Sequence, residues 1–247
     1  MTQQFYVSPE QLMKDRADFA RKGISRGRSV VVMSCRDGIA LVAQNASPSL
    51  HKLGEIYDRI AFAAVGKYNE FESLRQAGVR YADVRGYSYA REDVTARGLA
   101  SVYAQSLGAV FTAESKPFEV ELVVAEVGRS QEADHLYRLT FDGSIADEAG
   151  FVVMGGAADA VVGGLRDTWS ADVGLADGVR AAARALAGAA TGTAGDGDRS
   201  GTPALDPSVL EVAFLERDPD TLRGSHRAFR RIGGPELEIV LQGGQEN

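Results

Sequence analysis

The chain has a single cysteine, Cys35, among 247 residues, which leaves no intramolecular disulfide and no cysteine-based zinc site. Its position in an apolar run marks it as a small buried residue rather than a reactive thiol. The three histidines, His51, His135 and His226, are scattered without ligand spacing, so no metal is expected. There is no basic excess: the formal net charge is −7, which argues against a nucleic-acid backbone as partner. No window approaches ~20 consecutive apolar residues, so no membrane span is expected. The opening MTQQFYVSPEQ has no basic segment followed by an apolar one; no signal peptide and a cytoplasmic location are the expectation. A Gly-x-Ser-x-Gly elbow is absent, which removes the anchor for a serine hydrolase. The Gly-Gly pairs beginning at 155, 163, 233 and 243 lack the spacing of a phosphate loop, and no cofactor is implied. Met154-Gly155-Gly156 ahead of a helix suits close strand–helix packing better than an anion site.

What is present is an ordinary globular composition, 45% hydrophobic and 25% charged, in a chain long enough for one large core or two small ones. Ser8-Pro9-Glu10-Gln11 reads as a helix start, with Ser8 capping the Gln11 amide and Pro9 in the first turn, where its missing N–H costs nothing. Leu12, Met13, Phe19 and Ala20 recur at helical spacing, and Gly23 is a plausible stop, which predicts a helix over 9–22. Its charged face, with Lys14, Asp15, Arg16, Asp18, Arg21 and Lys22, suits solvent or a neighbouring subunit. Val30 to Ser34 and Ile39 to Ala43 read as strands about an Arg36-Asp37-Gly38 turn, because Asp-Gly tolerates positive φ. Their near-continuous apolarity, like that of Ile60 to Val65, implies a sheet covered on both faces.

Helical periods follow over Tyr68 to Val84 and from Asp93 or Thr95 to Phe111. Glu119 to Val127 alternates as a strand. His135 to Phe141 and Ile145 to Met154 read as a pair about a second Asp-Gly, Asp142-Gly143. Ala157 to Trp169 and Leu175 to Ala187 read as helices, and Val209 to Leu215 and Phe229 to Ile232 as strands. Residues 190–207, ATGTAGDGDRSGTPALDP, are too polar to bury themselves and read as a mobile loop; 243–247 read as a disordered tail. The order of strands, two helices, strands, two helices, strands suggests two stacked sheets between helical layers, though a single mixed sheet fits the pattern too.

Two lysines stand near the two ends of one strand region. Lys52 precedes it, as either a solvated side chain or part of a site. Lys67 follows Gly66 at a helix start, where the dipole disfavours a cation, so it has either no role or a specific anionic partner.

The stretches VSPEQLMKDRADFARKGI, SLHKLGEIYDRIAFAAVGKYNEFESLR, RGYSYAREDVTARGLASVYAQSLGAVFT, KPFEVELVVAEV and LYRLTFDGSIADEAGFVVMGG, together most of residues 6–160, resemble α-subunits of the proteasome core, specifically the actinobacterial branch. The resemblance implies a single α+β domain over 1–247. Its fold would be a four-layer αββα sandwich of the amino-terminal-nucleophile hydrolase type, with two stacked, mainly antiparallel sheets between helical layers. It implies a homo-heptameric α-ring on rings of β-subunits that carry the catalytic threonine, which uses its own amine as base. Counted back from the Arg36-Asp37-Gly38 turn, the threonine's position here is Arg28, and the acidic partner's falls at or near Gln44. Neither can do that chemistry, and no catalytic residue is expected. A one-residue shift would put Gly27 or Ser29 there, and Ser29 would still need chain cleavage before it.

The resemblance also implies an activator-binding pocket, with Lys52 pairing the terminal carboxylate of a regulatory ATPase or other activator. Gly27 would let that tail's backbone approach, and Lys67 stands nearby. Residues 1–8 correspond to a gate, for which Phe5, Tyr6, Val7, Ser8 and Pro9 are the candidates, controlling entry of unfolded protein substrates. The tyrosine-aspartate-arginine gate motif of archaeal and eukaryotic relatives is absent, with QQFYVSPE in its place. The competing reading is a stand-alone amino-terminal-nucleophile amidohydrolase, activated by chain cleavage.

Overall fold

A computed structural model describes residues 8–192, 206–218 and 226–243. Helix α1 (Pro9–Ile24) leads into β1 (Val30–Cys35), β2 (Gly38–Gln44), β3 (Leu53–Tyr57) and β4 (Ile60–Gly66). Helices α2 (Tyr68–Ser88) and α3 (Ala96–Ala113) follow, then β5 (Val120–Glu126), β6 (His135–Leu139), β7 (Ile145–Asp147) and β8 (Phe151–Met154). Helices α4 (Ala158–Arg166) and α5 (Leu175–Gly192), strands β9 (Leu210–Glu216) and β10 (Phe229–Ile232), and helix α6 (Gly234–Gln242) complete the order. The strands form two five-stranded sheets, β10-β9-β2-β1-β8 and β3-β4-β5-β6-β7, and the paired strands are antiparallel throughout.

The period-two alternation of side chains assigns each strand's residues to two different cores. Val30, Val32, Ile39 and Leu41 of the first sheet pack with Ala61, Ala63, Val65 and Val123 of the second, so the sheets are stacked face to face. Val31, Met33, Cys35, Ala40 and Val42 point the other way, against Val161 and Leu165 of α4 and Val179, Ala182 and Leu186 of α5. On the second sheet Ile60, Phe62 and Ala64 face Phe71 and Leu74 of α2 and Leu99, Tyr103 and Leu107 of α3. The result is a four-layer αββα sandwich; the single mixed sheet is excluded. The apolarity of β1, β2 and β4 has its cause here, since each strand is buried on both faces.

Several elements differ from expectation: α2 runs past Val84 to Ser88, α4 stops at Arg166, and α5 runs past Ala187 to Gly192, three residues into the expected loop. The run before Ile60, to which the sequence pattern assigns no element, forms edge strand β3 over Leu53–Tyr57, paired with β4 through a register shift between Glu55 and Tyr57. The stretch Ile145 to Met154 is two strands in different sheets, β7 beside β6 and β8 beside β1. The crossing falls at Gly150, whose φ of +79° only glycine adopts readily. Helix α1 continues past Gly23 to Ile24, two residues beyond the expected end, because Ala20 and Ile24 bury into the layer between the sheets. Ser8 caps α1 by accepting the Gln11 amide at 3.2 Å, with Pro9 opening the first turn. Of the expected gate, Phe5, Tyr6 and Val7 lie outside the described residues, as do most of 190–207 and residues 244–247.

Candidate functional site

The connection from α1 to β1, Ser25 to Ser29, lies where the two sheets meet. Gly27 donates its amide to the Ile24 carbonyl at 2.8 Å, and its own carbonyl accepts the Gly156 amide at 3.1 Å. A Cβ at Gly27 would stand 3.0 Å from the Ile24 oxygen and 3.3 Å from the Gly66 amide nitrogen, so the segment runs flush against the end of β4. Gly66 itself has φ +110°, and a Cβ there would run into the Glu119 carbonyl. Ser29 is buried; its Oγ accepts the Ala157 amide at 3.4 Å and its carbonyl the Gln44 amide at 3.1 Å.

Lys52 opens β3. Its carbonyl accepts the Ala64 amide at 3.1 Å, and its ammonium donates to the Arg28 carbonyl at 2.7 Å. Burial, helped by the positive charge of Arg28 and opposed by Glu211, lowers its pKa to about 8. Glu211, on β9, holds the backbone in place: its carboxylate accepts the Lys52 amide at 2.9 Å, the Leu53 amide at 3.3 Å and Arg231 at 2.7 Å. Asn45 Nδ2 also donates to it at 2.8 Å, and His51 Nδ1 lies 3.1 Å away. Glu211 is thus committed to fixing the loop, while the Lys52 ammonium has a carbonyl, not a carboxylate, as its hydrogen-bond partner.

Lys67 follows Gly66 as the N-cap of α2, with no capping bond from its side chain. Its ammonium stands 3.7 Å from Glu70, one turn on. That resolves the mismatch with the helix dipole: Lys67 has an anionic partner within the chain, shared with Lys116 at 2.7 Å. The structure therefore brings Gly27, Arg28 and Lys52 together and sets Lys67 beside them, its charge drawn to Glu70. Sequence reasoning missed Glu211 as the organiser of this corner. At 159 residues from Lys52 it carries no local signal.

A family model described as "Proteasome subunit" matches residues 24–200. The protein named "Proteasome subunit alpha" in Pseudarthrobacter chlorophenolicus is 69% identical over 241 residues, covering 98% of this chain and all of its own length. Its namesake in Paenarthrobacter aurescens is 71% identical over 241 residues, covering 98% of each chain. The chain belongs to the proteasome subunit family. The "Proteasome subunit alpha" of Kineococcus radiotolerans, 62% identical over 244 residues and 98% of this chain, extends the likeness across the actinobacteria. Among proteasome subunits, the chain thus sides with the α-type branch. The four-layer sandwich is the architecture expected of that family.

For a proteasome subunit the start of β1 is the position to inspect for chemistry. Arg28 stands there in mid-chain, with α1 ahead of it. Gln44 ends β2 and donates its amide to Ser29. Burial pushes the Cys35 thiol up to about 12, so it is no nucleophile. Among the described residues no group of three His, Cys, Asp or Glu side chains could hold a metal ion, and no helix is long and apolar enough to cross a membrane.

Proposed function

We propose that this chain is the structural and gating α-subunit of a cytoplasmic proteasome core particle and has no peptidase activity of its own. Seven copies form a ring on rings of β-subunits, which perform the hydrolysis. The observation that carries the reading is the state of the corner where a nucleophile would stand. The Arg28 carbonyl is taken by Lys52, the Ser29 hydroxyl accepts a helix amide, and α1 blocks any new terminus. A nucleophile that uses its own amine as base cannot form in mid-chain.

The same corner is suited to docking. Lys52 and Gly27 form the activator-binding pocket, with Lys67 at its rim, and it receives the carboxyl-terminal tail of a ring-shaped ATPase or other activator. A carboxylate paired with a half-desolvated ammonium gains about 1.5–3 kcal/mol, and several pockets around one ring add avidity. Phe5, Tyr6, Val7, Ser8 and Pro9 form the gate, through which unfolded substrates pass. In the assembled particle, Lys52→Ala reduces activator-dependent protein degradation and leaves small-peptide cleavage intact; unchanged activator binding rejects the pocket. Deleting residues 2–7 speeds peptide hydrolysis by the particle; an unchanged rate rejects the gate. The competing amidohydrolase reading requires loss of everything ahead of Ser29, which the intact mass of the purified chain tests directly.

A further inference from the structure

At the end of β1 away from Ser29, a cleft of about 670 Å³ opens between loops of both sheets, a size that suits a small molecule. Its walls include Arg59 in the β3–β4 turn, Arg91 in the α2–α3 connection, Arg129 in the β5–β6 loop and Arg217 just past β9. The hydrogen bonds of these four guanidinium groups separate them. Arg217 commits all five N–H groups inside the protein, to the carbonyls of Arg36, Gly128 and Cys35 and to both oxygens of Asp134. Arg59 does not. Its Nε donates to the Val127 carbonyl at 2.8 Å and its Nη2 to the Gly128 carbonyl at 2.9 Å, and its Nη1 has no partner among the described residues. Arg91 gives Nε and Nη2 to Asp58 and lies over the Tyr57 ring, and its Nη1 is likewise open. Arg129 is exposed and makes no hydrogen bond or ion pair among the described residues.

The acids of the cleft leave this excess of donors standing. Asp58 is taken by Arg91, and Glu126 accepts the Ala96 amide at 2.7 Å where α3 begins. Glu92, exposed at the rim, is the lining acid with no partner among the described residues. Asp134 behind the wall already accepts from Ser34, the Gly128 amide and Arg217. Arg59 and Arg217 meet on one oxygen, the Gly128 carbonyl, at 2.9 and 3.1 Å, so two cations stand close together and the single carboxylate between the sheets serves Arg217. Burial and then the charge of Arg217 lower the Arg59 pKa; Glu126 opposes this and Arg129 adds to it.

We propose that this cleft binds a small phosphate-bearing anion, with Arg59 as its central donor and Arg91 and Arg129 completing the site from the other walls. The open N–H groups belong to three separate chain segments. A planar carboxylate is satisfied by one guanidinium fork, whereas a phosphate group presents oxygens in several directions and accepts from several donors at once. The bound anion ties the β3–β4 turn, the α2–α3 connection and the β5–β6 loop to one another. The site is independent of tail docking at Lys52, at the other end of the sandwich.

The test is calorimetric titration of the assembled particle, this chain together with its β-type partner, with inorganic pyrophosphate as probe and citrate as a carboxylate of comparable charge. Pyrophosphate binds saturably, one per copy of this chain, and citrate binds more weakly. R59Q weakens pyrophosphate binding about ten-fold or more, the effect of losing a charge-assisted hydrogen bond. R129Q, at an exposed position with no contacts to lose, weakens it about two- to five-fold, the range of an exposed ion pair, and so separates loss of the ligand from any disturbance of the loops at Arg59. E92Q tightens binding by removing the acid at the rim. Absence of saturable binding to the wild type overturns the proposal. So does an affinity indifferent to R129Q and E92Q, which marks an adventitious ion only. Citrate bound as tightly as pyrophosphate overturns the phosphate assignment.

Discussion

Replacing Asp134 by alanine destabilises the folded chain more than a typical single substitution, for a reason visible in its contacts. The side chain is 3% exposed, and Arg217 opposite it is 12% exposed. Asp134 accepts hydrogen bonds from the Ser34 hydroxyl at 2.7 Å, the Gly128 amide at 2.9 Å and the two Arg217 terminal nitrogens at 2.7 and 2.8 Å. Ser34 lies on β1 of one sheet and Gly128 just past β5 of the other, so this carboxylate fastens the two sheets at one mouth of the sandwich. Without it a guanidinium remains buried beside the carbonyls of Cys35 and Gly128 with no counter-ion. Breaking a buried pair from one side costs about 3–5 kcal/mol. At roughly 2–4 °C per kcal/mol for a domain of this size, the melting temperature falls by on the order of 10 °C. Urea unfolding followed by the fluorescence of the only tryptophan, Trp169, which packs against Phe151, measures the loss. The double variant Asp134→Leu, Arg217→Met costs less than the two single changes added together, by about 2 kcal/mol, because it leaves no orphaned charge. A loss below about 1 kcal/mol for Asp134→Ala, or additivity within about 0.5 kcal/mol, refutes the reasoning.

Tail docking at Lys52 weakens as pH rises through about 8, where the ammonium is lost, rather than near the ordinary lysine value of 10.5; titrating peptide binding from neutral to alkaline pH locates the midpoint, and one near 10 contradicts the burial argument. The sign for stability runs the other way. The unfolded lysine keeps its proton up to 10.5 and the folded one releases it near 8, so between those values this group makes folding more favourable as pH climbs. Gly66→Ala forces a Cβ into the Glu119 carbonyl at φ +110° and lowers the melting temperature by several degrees, read by calorimetry. Ser29→Ala leaves the peptidase rate of the assembled particle unchanged; loss of activity there supports the amidohydrolase reading instead.

The elements easiest to read from sequence were those with a strong local cause. Ser8 and Pro9 start α1 through a capping bond confined to one turn, and the turn at Arg36 and Asp37 closes β1 onto β2 with Gly38 opposite Cys35. Strand β3 was hidden because Gly54 and Glu55 interrupt LGEIY, and its pairing with β4 is what makes it a strand. The break at Gly150 went unread although Asp147 and Glu148 interrupt the stretch ahead of it: one stretch serves two sheets, and the three-dimensional path shows where it changes partner. In the site, Gly27 and Lys52 came from resemblance rather than pattern. The dipole argument left Lys67 with either no role or an anionic partner; the structure supplies the partner within the chain as Glu70. The carboxylate that orders the Lys52 loop comes from β9, and no periodicity links positions that far apart.

The position of α1 bears on why this sandwich would be inert where others are catalytic. A nucleophile at the start of β1 needs a free amine, so everything ahead of Ser29 would have to be removed. Here that segment is part of the core. Ala20 and Ile24 are buried between the sheets with Val30, Val65 and Val123, and Arg16 reaches across to donate to the Phe111 carbonyl at 2.7 Å. Fully burying an isoleucine contributes about 1.5–3 kcal/mol, so cutting the chain at Arg28 would expose apolar surface as well as remove a helix. It would also break the backbone beside the carbonyl that positions Lys52. The same few residues therefore hold α1 to the body and border the Lys52 corner, so the lack of a nucleophile and the tail docking proposed above would share one structural cause.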